Sequence, residues 1–366
     1  MTFAGKIPIP SRQEAILLVL VVTAALVVSC YVLLVVLSPV EPIPDPSEST
    51  YRTPSSASSE PLPSLSTSPR ATVHLSVVVP AYNESLRLEV MLRPAVEFLE
   101  TRPLDDVAVN SLPSGVDKGS YEILVVDDGS KDDTVDVALR LAGQLEQEFG
   151  AKRGRVKVCS LVRNRGKGGA TKHGVLHASG HRILFVDADG ATNFTDLAAL
   201  ESELDTLEVE QRDTESPHGI IVGSRAHLVS TEAVVKRSLL RNLLMRCFHL
   251  YLSLLGLSTI RDTQCGFKLH ARATCRHLYP ALHSPGWIFD CELLLLAEVS
   301  GVPLREVGVR WHEVGGSKLD VVWDSARMAR DLLVIRGNHL VGRWKSPTRI
   351  DVAQQVKEVS SSKKDR

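Results

Sequence analysis

With 366 residues the chain has length for one large domain or two small ones around a buried core. Its 42 basic and 43 acidic residues leave a formal net charge of −1, which argues against a general nucleic-acid binder. Cys30, Cys159, Cys247, Cys265, Cys275 and Cys291 are scattered without a Cys-x-x-Cys pair; this indicates neither a disulfide scaffold nor a zinc site and predicts free, buried thiols.

A short tail, residues 1–14, precedes Ala15 to Leu37, an uncharged and almost wholly apolar stretch. It is long enough to cross a hydrocarbon layer of about 30 Å as a helix. A cleaved signal peptide has an apolar region of only about 7 to 15 residues, and no Ala-x-Ala-like site closes this one, so a retained anchor in the lipid bilayer is expected. Residues 38–71, crowded with Pro and Ser, read as a flexible, partly extended linker. Lys6 and Arg12 precede the anchor while Glu41, Asp45 and Glu48 follow it; counted alone, those charges put the large domain outside the cytosol. Two N-glycosylation sequons, Asn83-Glu84-Ser85 and Asn193-Phe194-Thr195, stand against this, because glycans there would obstruct the motifs beside them. A cytosolic domain is therefore expected.

The globular part, 72–345, opens with the apolar run His74 to Val79, a strand that passes into a loop at Pro80-Ala81-Tyr82-Asn83-Glu84. Leu88, Met91, Leu92, Val96 and Leu99 then fall at helical spacing. Residues 103–120 read as an inserted surface loop. Ile123 to Val126 is a second buried strand, delivering Asp127-Asp128-Gly129-Ser130 into a turn, and Asp132 or Asp133 can cap a helix over Thr134 to Phe149. A third strand, Val156 to Leu161, leads to Arg163-Asn164-Arg165-Gly166-Lys167-Gly168-Gly169-Ala170 at the start of another helix. Backbone N–H groups and Lys167 there can approach a phosphate, although the same glycines also serve simply to turn the chain. No Ser or Thr follows the Lys, so this is not a Walker A loop.

Ile183 to Val186 is the next buried strand, with Asp187 and Asp189 at its carboxyl end, where ligands of open α/β sheets collect. Two carboxylates one residue apart can hold one hard cation, Mg²⁺ or Mn²⁺, or merely cap the next helix. Helix Asp196 to Leu207 and a strand Gly219 to Val222, ending in Gly223-Ser224-Arg225, complete an alternating pattern that predicts an α/β fold with a mostly parallel sheet flanked by helices. Arg237 to Leu257 and Leu319 to Ile335 carry apolar stripes that suit either a core-facing helix or one lying at a bilayer surface. The charged, Ser-rich tail, 346–366, is expected to be disordered.

In order and spacing, Val-Pro-Ala-Tyr-Asn-Glu (79–84), Val-Asp-Asp-Gly-Ser (126–130), Asn-Arg-Gly-Lys-Gly-Gly-Ala (164–170), Asp-Ala-Asp (187–189) and Gly-Ser-Arg (223–225) resemble the inverting family 2 glycosyltransferases. Asp-Thr-Gln-Cys-Gly-Phe-Lys (262–268), Trp-Ile-Phe-Asp-Cys-Glu (287–292) and Trp311-His312-Glu313 leading to Gly316-Ser317-Lys318 narrow the likeness to the branch that charges dolichyl phosphate with a sugar. The match spans about residues 73 to 345; the insertion at 104–120 and the N-terminal linker depart from it without interrupting a motif.

The resemblance implies a GT-A fold (Rossmann-like), a UDP-glucose donor and a dolichyl phosphate acceptor, with GDP-mannose as the alternative donor. It assigns Pro80, Tyr82, Asn83, Glu84, Asp127, Asp128, Lys167, Gly168 and Asp187 to the nucleotide sugar, with Tyr82, Glu84 and Asp127 on uracil and ribose. Asp187 and Asp189 would hold the metal, with Asp189, Asp290 and Arg225 as the catalytic set. Arg225, Arg237, Arg241 and Lys268 are candidates for the acceptor phosphate. Asp290, where related enzymes with hydroxyl acceptors keep their base, would orient, or only cap a helix. A processive polysaccharide synthase would carry Gln-x-x-Arg-Trp, whereas Val307 precedes Arg310-Trp311 here. A membrane-anchored scaffold without catalysis is the reading from another class.

Overall fold

The computed structural model describes residues 11–350, apart from 57, 69, 110–111, 212–213, 215, 228–259 and 315–320. Arg237, Arg241, the stripe at 237–257 and the Gly-Ser-Lys element at 316–318 therefore lie outside the described residues. Helix α1, Arg12–Leu37, starts at a reciprocal cap: Glu14 N–H donates to Ser11 Oγ, and Ser11 N–H to Glu14 Oε2. Its 26 residues give roughly 39 Å of helix, enough to span a bilayer's hydrocarbon, and among the described residues it is the one helix long and apolar enough to do so.

The stretch expected to be a flexible linker is instead a strap laid across the domain. The short strands β1 (Thr50–Tyr51) and β2 (Glu60–Pro61) pair antiparallel. Glu48 is buried, and Arg52 exchanges backbone hydrogen bonds of 2.9 Å with Val158. Leu65 is fully buried and donates to Leu176 O at 2.7 Å. A few anchoring side chains hold this chain in place, and a Pro/Ser composition conceals them because they show no period.

In chain order the domain then runs β3 (Val73–Ala81), α2 (Leu88–Thr101), β4 (Tyr121–Asp127), α3 (Thr134–Phe149), β5 (Gly154–Ser160), α4 (Gly166–Leu176), β6 (Gly180–Val186), α5 (Leu197–Glu210), β7 (Ile220–Ser224), β8 (Phe267–Ala271), α6 (Arg272–Leu278), α7 (Phe289–Ser300), β9 (Leu304–Gly308) and α8 (Val321–Leu340). Of the two candidate caps for α3, Asp132 accepts the Thr134 N–H at 3.1 Å, while the Asp133 side chain makes no capping bond.

Strands β3 to β9 form one sheet in the order β5-β4-β3-β6-β8-β7-β9. All neighbours are parallel except at β8, which runs antiparallel to both β6 and β7. Apolar residues alternate through the sheet: Val77, Ile123 and Leu184 face α2, α3 and α5, whereas Val78, Leu124 and Ile183 face α4, α6 and α7. Strand β8 escapes the sequence pattern because its second face carries Lys268 and His270. Both are buried, Lys268 on Asp290 and His270 with Nδ1 3.0 Å from Ile183 O.

Helix α8 takes the core-facing role of the two its stripe allows along one side. Leu332 and Ile335 are buried in the core beside α7, while Trp323, Leu333 and Leu340 stay exposed. The chain after it, expected to loosen at 346, remains docked as far as Ile350, whose N–H donates to Ser300 O at 2.7 Å.

Candidate active site

The carboxyl ends of β3, β4 and β6 and the start of α4 converge at one edge of the sheet. Strand β3 pairs with β6 only as far as Val78, so Pro80, which has no N–H to give, lies beyond that ladder. Asn83 then turns the chain with φ of 53°, a conformation to which Asn is suited. Its N–H donates to Ser130 Oγ at 2.9 Å and its Oδ1 accepts Lys131 N–H at 2.8 Å, binding the loops after β3 and β4 together. Glu84 grips the Arg87 guanidinium at 2.6 and 2.7 Å.

Asp128 accepts the Arg165 N–H at 2.7 Å. Burial pushes its carboxyl up to about 7, against the opposing pull of that bond. Burial also raises Asp127, which faces Ser130 N–H at 3.3 Å. At Gly129, with φ of 68°, a Cβ would stand 2.9 Å from Asn164 N, so only glycine lets the β4 loop lie this close to the glycine-rich loop.

Lys167 projects from the first turn of α4 to Asp187, 2.7 Å from Nζ to Oδ1, between the rings of Phe185 and Trp287 at 5.3 and 5.2 Å. Burial alone would lower its ammonium, but Asp187 and Asp290 hold it above the usual lysine range. Gly168 has a different place from the one expected of a phosphate cradle. Its Cβ position is 2.5 Å from Ser284 O and 2.6 Å from Phe289 Cβ, so it admits the chain before α7 instead of a ligand.

Asp187 and Asp189 leave β6 together. Asp187 lies so tightly on Gly266 that a Cβ there would meet Oδ2 at 2.0 Å. Asp189 accepts Ala191 N–H at 3.0 Å, and its carboxyl is raised by burial first and by the Asp187 charge second. Two crowded carboxylates, one unfavourably charged, form an all-oxygen donor pair that suits Mg²⁺ or Mn²⁺.

Arg225 is held edge-on by Asp262, with Nε and Nη2 at 2.7 and 2.8 Å, and its guanidinium lies 5.5 Å from the Trp311 ring. Lys268, expected to face the acceptor phosphate, is fully buried and donates to Asp290 at 2.5 Å and to Cys265 O at 2.7 Å. The two form an internal pair, because an ammonium on the inner face of β8 needs a carboxylate there. Asp290 falls inside the first turn of α7, one residue past its start, and no capping bond is made at this terminus. Burial raises its carboxyl, opposed by Lys268 and then Lys167.

The structure thus brings Lys167, Asp187, Asp189 and Asp290 together and sets Lys268 behind them. Sequence reasoning missed Asp262, Gly266 and the platform of Trp287. All three stand within or beside quoted motifs, and only a tertiary contact gives each its role.

The family model of glycosyl transferase family 2 matches residues 76–244. The dolichyl-phosphate β-glucosyltransferase of Drosophila melanogaster is 45% identical over 298 residues, covering 81% of this chain and 84% of that protein. The chain belongs to the dolichyl-phosphate β-glucosyltransferase family. The Homo sapiens and Saccharomyces cerevisiae members of this dolichyl-phosphate β-glucosyltransferase family are 43% and 40% identical, over 78% and 75% of this chain and 81% and 77% of their own. A crystal structure of glucosyl-3-phosphoglycerate synthase from Mycobacterium tuberculosis with Mn²⁺, UDP-glucose and phosphoglyceric acid is similar at a TM-score of 0.43 and 20% identity, over 72% of this chain and 80% of that one. As a dolichyl-phosphate β-glucosyltransferase family member the chain is a family 2 glycosyltransferase with the GT-A sheet.

Proposed function

We propose that this protein transfers glucose from UDP-glucose to dolichyl phosphate with inversion, giving dolichyl β-D-glucosyl phosphate for lipid-linked oligosaccharide and N-glycan assembly. The observation that carries the reading is the convergence of Asp187, Asp189 and Lys167 at the carboxyl end of β6, in a chain whose relatives are named for this activity. Mg²⁺ or Mn²⁺ held by Asp187 and Asp189 would supply Lewis-acid neutralisation of the diphosphate leaving group.

The protein's own groups do the rest. Tyr82, Glu84 and Asp127 hold uracil and ribose, with Asp128 at the same edge and Pro80 and Asn83 shaping the turn. Lys167 adds positive charge where the leaving group becomes more negative. A phosphate monoester with a second pKa of about 6 is already a dianion at neutral pH and needs no general base. Asp290 therefore has no proton to take; paired with Lys268, it orients the neighbouring charges. Arg225, clamped by Asp262, offers a fixed guanidinium to place the acceptor oxygen in line behind the anomeric carbon. Any contribution of Arg237 and Arg241 to the same cradle belongs to this proposal.

Helix α1 anchors the enzyme in the endoplasmic reticulum membrane with the domain on the cytosolic side. The sequon at Asn83 supports this side, because a glycan on its Nδ2 would crowd the turn that joins the loops after β3 and β4.

The test offers the detergent-solubilised protein UDP-glucose or GDP-mannose, with dolichyl phosphate and Mg²⁺ or Mn²⁺, and counts sugar in the lipid phase. Glucose alone is expected to transfer. Asp189→Ala should retain less than a few per cent of activity with an unchanged melting temperature. Transfer of mannose alone would replace the donor, and no transfer from either would bring forward the scaffold reading.

A further inference from the structure

Away from the proposed active site, His283, Glu292 and His339 bring three ligand atoms within 4.8 Å of one another. Glu292 is fully buried on α7, His283 belongs to the loop just before that helix, and His339 lies in the last turn of α8, its side chain only 5% exposed. Nδ1 of His283 is 3.5 Å, and Nε2 of His339 3.7 Å, from the same Glu292 Oε1. Both nitrogens are buried, and neither has a hydrogen-bond partner.

These separations decide the chemistry. An N–H···O bond closes to about 2.7–3.2 Å, and neither imidazole comes that near. Ligands sharing a tetrahedral Zn²⁺, at about 2.0–2.2 Å each, stand roughly 3.3–3.5 Å apart. We infer that His283 Nδ1, His339 Nε2 and Glu292 Oε1 form a three-ligand zinc site that ties α8 to α7, its fourth position left to water.

The surrounding groups hold these ligands as a metal site requires. Backbone N–H groups of His283 and Ser284 fix the Glu292 carboxylate, at 3.0 and 2.6 Å to Oε2. With His339 Nδ1–H donating to Ser346 Oγ at 3.1 Å, Nε2 keeps its lone pair turned toward Glu292. Trp344 stacks on the His283 ring at 4.2 Å and 6°, and meets His339 edge-on at 5.6 Å.

The site also reaches the donor loop. His283 opens the segment 283–286, whose Pro285 O accepts Gly169 N–H at 3.1 Å and whose Ser284 O lies 2.5 Å from the Cβ position of Gly168. A metal here connects the helix beside the membrane anchor to the loop that presents Lys167. His283 and Glu292 are nine positions apart, but His339 lies on the next helix and none is a cysteine, so no spacing motif announces the set.

The test uses full-length protein carrying no polyhistidine tag, purified in detergent with excess Mg²⁺ and no chelator. Elemental analysis should find about one zinc per chain in wild type and in Asp189→Ala, and markedly less in His339→Ala. His283→Gln is the second variant, in case the first does not fold. Zn²⁺ added to chelator-treated wild type should raise its melting temperature and lower hydrogen exchange across 283–286, and Co²⁺ should give visible tetrahedral absorption bands. The inference is overturned if wild type holds no zinc and gains no stability from it, or if Asp189→Ala loses the metal while the histidine variants keep it.

Discussion

Asp128 shows how burial stores a pH response in one residue. Its folded pKa is raised to about 7 by burial, whereas an unfolded Asp titrates near about 3.9. Below about pH 4 both states are neutral and the group contributes nothing. Between about 4 and 7 the unfolded chain ionises first and folding is penalised, and above 7 the whole penalty applies, about 4 kcal/mol at most. Asn at this position keeps an oxygen for the Arg165 N–H. Nucleotide-free Asp128→Asn should therefore melt higher than wild type at pH 8 and equally at pH 4; an equal melting point at both would refute the burial account. The acidic residues at the strand ends were legible through the order and spacing of several motifs together, since an acidic pair after an apolar run also serves simply to cap a helix. Asp262, which clamps Arg225, was not, since nothing in local spacing says that the two meet.

Elements divide along the same line. Strands β3, β4 and β6 announce themselves as apolar runs because both of their faces are buried under helices. Strand β8 and the strap at 46–65 carry no such signal: one buries a lysine on an aspartate, and the other is anchored by Glu48 and Leu65 in a composition typical of linkers. Glu48 accepts Val162 N–H at 2.9 Å from the start of the glycine-rich segment and pairs with the Arg165 guanidinium. Glu48→Ala leaves that partly buried cation unpaired, at a cost of roughly 1–3 kcal/mol, and frees the loop carrying Lys167. The expected result is a lower melting temperature and a severalfold higher KM for UDP-glucose, with the KM for dolichyl phosphate unchanged. Equal rises in both would mean that the strap acts on the whole fold and not on this loop.

The anchor is part of the molecule's architecture. Ser38, the residue after α1, receives Asn338 Nδ2 at 2.9 Å and Arg343 Nη1 at 2.6 Å, and Leu34 lies against Gly337. With α1 in a bilayer, as proposed, this junction would set the height of the sheet's carboxyl edge above it, where a long lipid delivers its phosphate. Asn338→Ala should raise the KM for dolichyl phosphate severalfold in vesicles while leaving that for UDP-glucose unchanged; no difference from wild type would make the junction incidental.

The two sides of that junction are separated by 300 positions. At about 5–20 residues per second, roughly 15 to 60 s of translation pass between them. Helix α1 is then made long before its partner exists. For that interval the nascent sheet grows with Leu34 and Ser38 still waiting for Gly337 and Asn338. Closure of α1 onto α8 is thus a late step of the enzyme's biogenesis, and damage near Asn338 would surface as a failure of assembly in chains whose chemistry is otherwise complete.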